Sequence, residues 1–407
     1  MLEKLLVFLS LTLIGIISLL PHPIFTAQWI NIALFCMGFL LVLYFTCPRK
    51  QLFDIADWPL WLFTLTLSTG LVHATNFQVA WNIFIQMVPN TFLIFYIGKG
   101  IFLRPKTREA STVIICAFAC LVAIIALLEL YFGRNILYEH YIGNPFYARY
   151  ISWRPMSTQS NPAVLGTYFL CTIPFALQLT QKRSGNIKIL GWSSFTLSCI
   201  VSILTRSRGT FLGLITVLLF YAWNKGYKKM FTLIVSLVIL IIALGSFQKE
   251  NSLGRFGFKR FISGSNDSII SPYRMDRIAM SLRVVKQYPV FGIGYEHFRI
   301  RFNEYCEPDN CNISHEFKIT DNMYLAFLSE GGIIGLLGFL IFSVFLFIRG
   351  VCALNSKTGT QQGWILAPLA AYVALLVNMG AYDLLYWPGV STFFYLLCGF
   401  IQATKTS

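Results

Sequence analysis

Long apolar runs separated by short polar stretches extend along almost the whole 407-residue chain. A helix that crosses the roughly 30 Å hydrocarbon core of a bilayer needs about 20 apolar residues. The sequence predicts about twelve such helices, several of them short, at residues 4–20, 29–45, 58–72, 79–97, 112–132, 162–179, 189–204, 210–223, 230–247, 323–348, 364–384 and 390–401. Membrane β-strands are shorter and alternate apolar with polar residues, whereas these runs are continuous. The pattern predicts an all-α, polytopic membrane protein, with a single integral membrane domain over residues 1–407.

The composition agrees with this prediction, because 56% of the residues are hydrophobic and only 12% are charged. Soluble domains do not show this balance. The chain enters its first apolar run within a few residues and without a small-residue cleavage site, so we expect a retained helix and not a signal peptide.

Short loops rich in Lys and Arg mark the cytoplasmic face of a membrane protein. Such basic loops alternate with loops nearly free of cations, and they lie at residues 49–50, 99–108, 182–188, 225–229 and 349–357. This alternation predicts that both termini are cytoplasmic. It places the segment 248–322, the loop 133–161 and the turn containing Arg206 and Arg208 on the periplasmic face. Long loops are translocated largely regardless of their charge, so the basic residues in 248–322 are compatible with that orientation.

The segment 248–322 is the long polar stretch of the chain and is predicted to form one large periplasmic loop. It holds eleven of the 32 Lys and Arg residues against nine Asp and Glu residues, which indicates an anionic ligand. Apolar residues recur at helical spacing between Pro272 and Pro289, so we predict an amphipathic helix there. Arg274 would lie in its first turn, where a helix N-terminus itself favours anions. The same pattern also fits a helix that only lies on the membrane surface.

Arg206 and Arg208 fall in a short turn between two apolar runs. A single arginine there could simply extend to the lipid head groups. Two arginines within three residues, on the face where cations are disfavoured, favour a binding role. The guanidinium group binds phosphate oxygens in a bidentate manner, so this turn suits an anionic head group or a diphosphate.

The polar segment ends with Asp321 and Asn322, directly before an apolar run. An aspartate there could cap the following helix, or it could serve as a base that faces several arginines. Upstream, Gly292 and Gly294 form a Gly-x-Gly sequence. No strand precedes it, so a nucleotide-binding loop is excluded and a tight turn is expected.

Two of the ten cysteines, Cys306 and Cys311, lie in the predicted periplasmic segment. Their short spacing suits a disulfide bond in an oxidising compartment. A metal site is the alternative, but it needs further ligands, and only His315 lies nearby. Unpaired thiols remain a third interpretation, and no metal site is predicted.

These motifs, in this order, resemble those of the O-antigen ligase and Wzy-type polymerase superfamily of bacterial membrane glycosyltransferases. Family members carry a Ser-Arg-Gly element, matched at Arg208, and an arginine fifteen residues before a Pro-x-x-Gly-x-Gly turn, matched at Arg274. They then carry His-Asn, followed after nine residues by Gly-x-x-Gly, which is matched from Asn322 to Gly335. The resemblance extends over the whole chain. One position differs, since Asp321 stands where ligases have histidine.

The resemblance implies an inverting, metal-independent transfer without a cofactor, at the periplasmic face of the bacterial inner membrane. A glycan would leave undecaprenyl diphosphate and join the hydroxyl group of an acceptor sugar. Arg208 and Arg274 would bind the diphosphate, with Arg206 and Arg277 as additional candidates. Expected partners are the undecaprenyl-diphosphate-linked oligosaccharide donor, a glycan or lipid A core acceptor, membrane lipids and a chain-length regulator, but no nucleic acid.

The acceptor hydroxyl needs a base, and the resemblance assigns this role to Asp321. An ordinary carboxylate, with a pKa of about 3.9, is a weak base, so His315 is a second candidate. Asp-Asn at this position favours a polymerase of polysaccharide repeat units, while a ligase that transfers glycan to lipid A core is the alternative. A lipid-linked glycan flippase or another transporter is the alternative from a different class, although such carriers tend to show inverted repeats and mid-span charges.

Overall fold

The computed structural model describes residues 2–135, 154–182, 185–227, 272–306 and 318–404. Within these ranges the chain is helical and contains no β-strand. The predicted all-α class is therefore confirmed.

Where the residues between two α-helices are described, they form short turns or 3₁₀ segments. The α-helices of the described ranges are numbered in chain order. They are α1 (Leu2–Leu19), α2 (His22–Ala27), α3 (Trp29–Thr46), α4 (Arg49–Leu52), α5 (Trp58–Thr66), α6 (Phe77–Leu103), α7 (Pro105–Phe132), α8 (Pro162–Leu179), α9 (Gly185–Leu204), α10 (Arg208–Asn224), α11 (Pro272–Gln287), α12 (His297–Ile300), α13 (Phe302–Tyr305), α14 (Met323–Glu330), α15 (Gly332–Ser356), α16 (Gly359–Met379) and α17 (Pro388–Ala403).

Eight helices of the described ranges are long and apolar enough to cross a membrane, namely α1, α3, α6, α7, α8, α9, α15 and α16. The chain is therefore a multi-pass membrane protein. Helix α17 is apolar but shorter, and the predicted runs 58–72 and 210–223 form the shorter helices α5 and α10. The run 230–247 lies outside the described residues, so the number of twelve helices stays a prediction.

Helices α8 and α16 form the centre of the bundle and are buried along most of their length. Helix α8 packs against α9 and α16, while α6 packs against α17. The backbones of α6 and α17 approach each other closely: a Cβ atom at Gly98 would lie 2.5 Å from the carbonyl oxygen of Leu396, and one at Gly399 would lie 2.1 Å from that of Phe95. Small residues allow such close packing of membrane helices.

Two predicted boundaries were wrong. The run 323–348 is not one helix, because the chain breaks at Gly331 between α14 and α15. The predicted loop 99–108 is helical apart from Arg104, which lies between α6 and α7. Lys99 is buried inside the bundle and pairs with Asp57 at 2.8 Å. A buried lysine needs such a partner, because the charge loses its hydration.

Candidate functional site

The turn that carries Arg206 and Arg208 is tight and well defined. Helix α9 ends at Leu204, Arg206 adopts a left-handed backbone conformation with φ of 49°, and α10 begins at Arg208. Ser207 caps α10, since its side chain accepts a hydrogen bond from the backbone N–H of Thr210. Arg208 is therefore the first residue of a 17-residue helix, where free N–H groups and the helix dipole favour an anion.

A further arginine, which the sequence did not single out, joins this turn. The Nε atom of Arg154 donates a hydrogen bond of 2.7 Å to the carbonyl oxygen of Thr205, at the end of α9. Arg154 belongs to the loop 133–161, which the charge pattern had predicted to lie on the same face as the turn. The predicted common face was therefore the only indication in the sequence that Arg154 lies near the turn.

Three motif elements that are far apart in the sequence meet at the end of α16. Gly209 packs there so closely that a Cβ atom would lie 2.3 Å from Oδ1 of Asn378. Nη2 of Arg274 donates a hydrogen bond of 3.2 Å to the carbonyl oxygen of Ala381, and Nδ2 of Asn322 donates one of 3.0 Å to that of Gly380. We call residues 378–381 the α16 corner.

The α16 corner attracts the guanidinium group of Arg274 and the positive N-terminal end of α10 because it is the negative end of a helix. The last carbonyl groups of a helix have no partner within it, and they form the negative end of the helix dipole. The guanidinium group of Arg274 satisfies one carbonyl just beyond α16. Gly209, directly after Arg208, places the N-terminus of α10 against the same corner.

The predicted amphipathic helix is present as α11 (Pro272–Gln287), with Arg274 in its first turn. Its buried face contains Arg277, Met280 and Val284. The apolar side chains of Met275 and Leu282, in contrast, are about half exposed. The helix therefore packs on the protein with one face and leaves apolar side chains exposed on another face.

Asp321 forms an ion pair with Arg277, and both side chains are largely shielded from solvent. Asp321 has a left-handed backbone conformation with φ of 52°. Asn322, and not Asp321, caps α14: its Oδ1 accepts hydrogen bonds from the backbone N–H groups of Tyr324 and Leu325. The interpretation of Asp321 as the helix cap was therefore wrong. Burial lowers the pKa of Arg277. Its guanidinium group contacts the carboxylate of the candidate base, Asp321, without an intervening residue.

Three carboxylates beside this ion pair form a cluster that the sequence did not assign to the site. Asp383 and Glu330 are buried, and both line a small pocket together with Glu296. Burial raises the pKa of Asp383 to about 6, and the negative charge of Glu296 adds to this effect. Within the described residues, Oδ1 of Asp383 has no hydrogen-bond partner.

Glu330 is held by two donors. Its Oε1 accepts a hydrogen bond of 3.1 Å from the backbone N–H of Phe298, and its Oε2 accepts one from the hydroxyl group of Tyr386. Burial raises the pKa of Glu330 to about 8. The position of Glu330 and Asp383 near the ends of apolar runs was the only signal of this cluster in the sequence.

The motif glycines Gly292, Gly294 and Gly332 let the backbone after α11 pack directly against the backbone at the break before α15. The backbone N–H groups of Ile293 and Gly294 donate hydrogen bonds of 3.0 Å to the carbonyl oxygens of Ser329 and Glu330. Gly332 has φ of 67°, and a Cβ atom there would lie 2.1 Å from the carbonyl oxygen of Val290. The expected tight turn is confirmed, and its glycines position α11 relative to α14.

Two remaining predictions fall partly or wholly outside the described residues. His315 lies outside them, as does Cys311. Cys306 is disulfide-bonded, and its pairing with Cys311 stays a prediction. A different histidine, His297, is buried near the site. Its Nε2 accepts a hydrogen bond of 2.9 Å from the backbone N–H of Asn76, and its Nδ1 lies 2.9 Å from the carbonyl oxygen of Tyr295. Both ring nitrogens are used, so His297 has a structural role.

Residues 193–340 match the family model described as O-antigen ligase. This segment is similar to the O-antigen ligase family. The match confirms the resemblance drawn from the sequence motifs, and it includes Arg208, Arg274 and Asp321. Arg154 and Asp383 lie outside the matched segment, although the structure brings Arg154 to Thr205 and Asp383 near Arg277. The chain matches no curated protein.

Proposed function

We propose that the protein is a membrane glycosyltransferase that acts on undecaprenyl-diphosphate-linked glycan and polymerises polysaccharide repeat units by inverting, metal-independent transfer. The observation that carries this proposal is the convergence of the Arg208 turn, Arg274 and Asn322 on the α16 corner. The similarity to the O-antigen ligase family supports a glycan-processing role for this membrane protein, and this corner offers what a lipid diphosphate requires.

In the proposed site, Arg208 and Arg274 bind the diphosphate together with the N-terminus of α10. During transfer the bond between the anomeric carbon and the diphosphate oxygen breaks, and negative charge develops on that oxygen. Fixed cationic donors stabilise such charge in the transition state, because they need no reorganisation during the reaction. Burial lowers the pKa of Arg274, which indicates poor hydration and therefore a strong preference for an anionic partner.

The acceptor hydroxyl attacks the opposite side of the anomeric carbon, so the configuration inverts. Its proton passes to Asp321 as the new carbon–oxygen bond forms. Arg277 pairs with Asp321 and orients its carboxylate before the acceptor arrives. Asp383 lies close enough to Arg277 for their charges to interact, and its raised pKa suits it to accept a proton near neutral pH. His315 remains the other candidate base.

The proposed orientation places the site at the periplasmic face of the inner membrane, with both termini in the cytoplasm. Helix α16 supports it, because its N-terminal end follows the basic residue Lys357 while its other end forms the α16 corner. Basic residues collect on the cytoplasmic side.

Ligase activity toward a lipid A core acceptor is the second candidate function, and the description of the matched domain favours it. The presence of Asp321 where ligases carry histidine favours polymerisation. Purified protein in liposomes with undecaprenyl-diphosphate-linked repeat units tests both. Longer glycan chains support a polymerase, and glycan joined only to added lipid A core supports a ligase. Translocation of the lipid without a new glycosidic bond would show a flippase and overturn the proposal.

A further inference from the structure

A basic groove lies at the end of the bundle opposite the α16 corner. A cavity of about 480 Å³ beside the last turns of α15 is lined by Phe345, Ile348, Arg349 and Lys357, among others. A smaller cavity of about 110 Å³ shares Lys357 and Thr404 with it and extends to Arg108. The two cavities therefore meet at Lys357.

The cations of this groove have few partners in the described part of the chain. Arg349 donates one long hydrogen bond of 3.4 Å from Nη2 to the carbonyl oxygen of Gln402, and its Nε has no partner there. Arg108 stacks on the ring of Trp364 at 4.8 Å, and its Nε likewise has none among these residues. A shielded guanidinium group with an unsatisfied N–H group is costly, and an anion in the groove would relieve this cost.

The charges of Asp57 and Glu109 act on Arg349 and Arg108, but each of these two carboxylates is shared with a lysine. Asp57 accepts hydrogen bonds from Lys99 at 2.8 and 3.0 Å and from Gln402 at 2.5 Å. Glu109 pairs with Lys182. The groove therefore keeps a local excess of positive charge.

The position of the groove identifies the source of the anion. Helix α16 has 21 residues, so a rise of 1.5 Å per residue separates its two ends by roughly 30 Å, about the thickness of a bilayer core. The groove thus lies at the level of the lipid head groups on the other membrane face. On its apolar side Ile348 is 55% exposed and Phe347, on the same helix α15, is 38% exposed, which offers a surface for acyl chains.

We propose that this groove binds an anionic phospholipid, with the phosphate of the head group held by Arg349 and Lys357 and an acyl chain lying along Ile348. A diacyl phosphatidylglycerol fits this description, whereas a zwitterionic phosphatidylcholine carries its own cation. Free phosphate shares the chemistry of the head group but lacks the acyl chains.

Native mass spectrometry of the purified full chain with added phosphatidylglycerol or phosphatidylcholine tests this proposal. The double variant Arg349→Gln and Lys357→Gln should bind phosphatidylglycerol about 10- to 30-fold more weakly, since two cations are lost. The matched control, Arg49→Gln and Lys50→Gln, removes two cations near the same end of the bundle but outside the groove, and it should bind as the unmodified chain does. Thermal unfolding of all three proteins verifies that they fold.

Two outcomes would overturn the proposal. Equal phosphatidylglycerol binding by both double variants would show that the groove is not the site. Displacement of the lipid by inorganic phosphate at a similar concentration would show that the acyl chains contribute nothing and that the groove is a site for a free anion.

Discussion

Replacement of Asp321 by asparagine separates its chemical role from its structural role. The left-handed backbone at this position, with φ of 52°, is one that Asp, Asn and His adopt more readily than other residues with side chains. Asparagine should therefore keep the local backbone, and Asn322 remains to cap α14. What Asp321→Asn removes is the negative charge that pairs with Arg277 and that would accept the proton.

The expected magnitudes follow from these contacts. The ion pair is largely shielded, with side-chain exposures of 10% for Arg277 and 17% for Asp321, so its loss should cost about 1.5–3 kcal/mol of folding stability. Asp321→Ala should cost roughly 1–2 kcal/mol more, because alanine is disfavoured in the left-handed region. If Asp321 is the base, both variants should lose about 10²–10⁴-fold in turnover. Asp321→His should keep the backbone and supply a base again.

Two measurements check this reasoning. Thermal unfolding in detergent should place the Asp321→Asn variant between the unmodified chain and Asp321→Ala. Glycan elongation in liposomes gives turnover, with Asp276→Asn as the matched control, since it removes a neighbouring carboxylate of α11 and should change turnover by less than about twofold. Turnover of Asp321→Asn within tenfold of the unmodified chain would refute the assignment of Asp321 as the base.

Three further predictions concern other parts of the site. Arg208→Ala and Arg274→Ala should each lower turnover at least about 100-fold while the protein still inserts into the membrane. Near-normal product from both variants would contradict the proposed diphosphate site. Gly332→Ala should lower the free energy of unfolding by about 2–5 kcal/mol, because it adds backbone strain and a clash; thermal unfolding checks this against Gly38→Ala, where nothing lies within 4 Å of the added atom and little change is expected. If the ionised form of Asp383 accepts the proton, turnover should rise as pH increases through about 6 and level off above it. Asp383→Asn should abolish this rise in the pH profile of turnover. An unchanged profile would contradict the role of Asp383 as proton acceptor.

The length and continuity of the apolar runs determined the all-α membrane class, because the bilayer imposes both on any helix that crosses it. The sequence also located Arg208, Arg274 and the glycine turn, since short motifs have local spacing that can be read directly. The observed helix ends differ from the predicted ones where a charged residue has a tertiary partner. Lys99, predicted to lie in a loop, pairs with Asp57 and lies inside α6.

The tertiary structure decided which of the polar residues meet. No local pattern joins Arg274, Asn322 and the Arg208 turn, because what they have in common is contact with the α16 corner, far along the chain. The same holds for Asp383, whose raised pKa depends on burial by distant segments. The sequence by itself determined the class of protein and its motif residues. Only packing determined that Asn322 caps α14 while Asp321 pairs with Arg277, because a helix cap and an ion pair depend on distances that chain order does not specify.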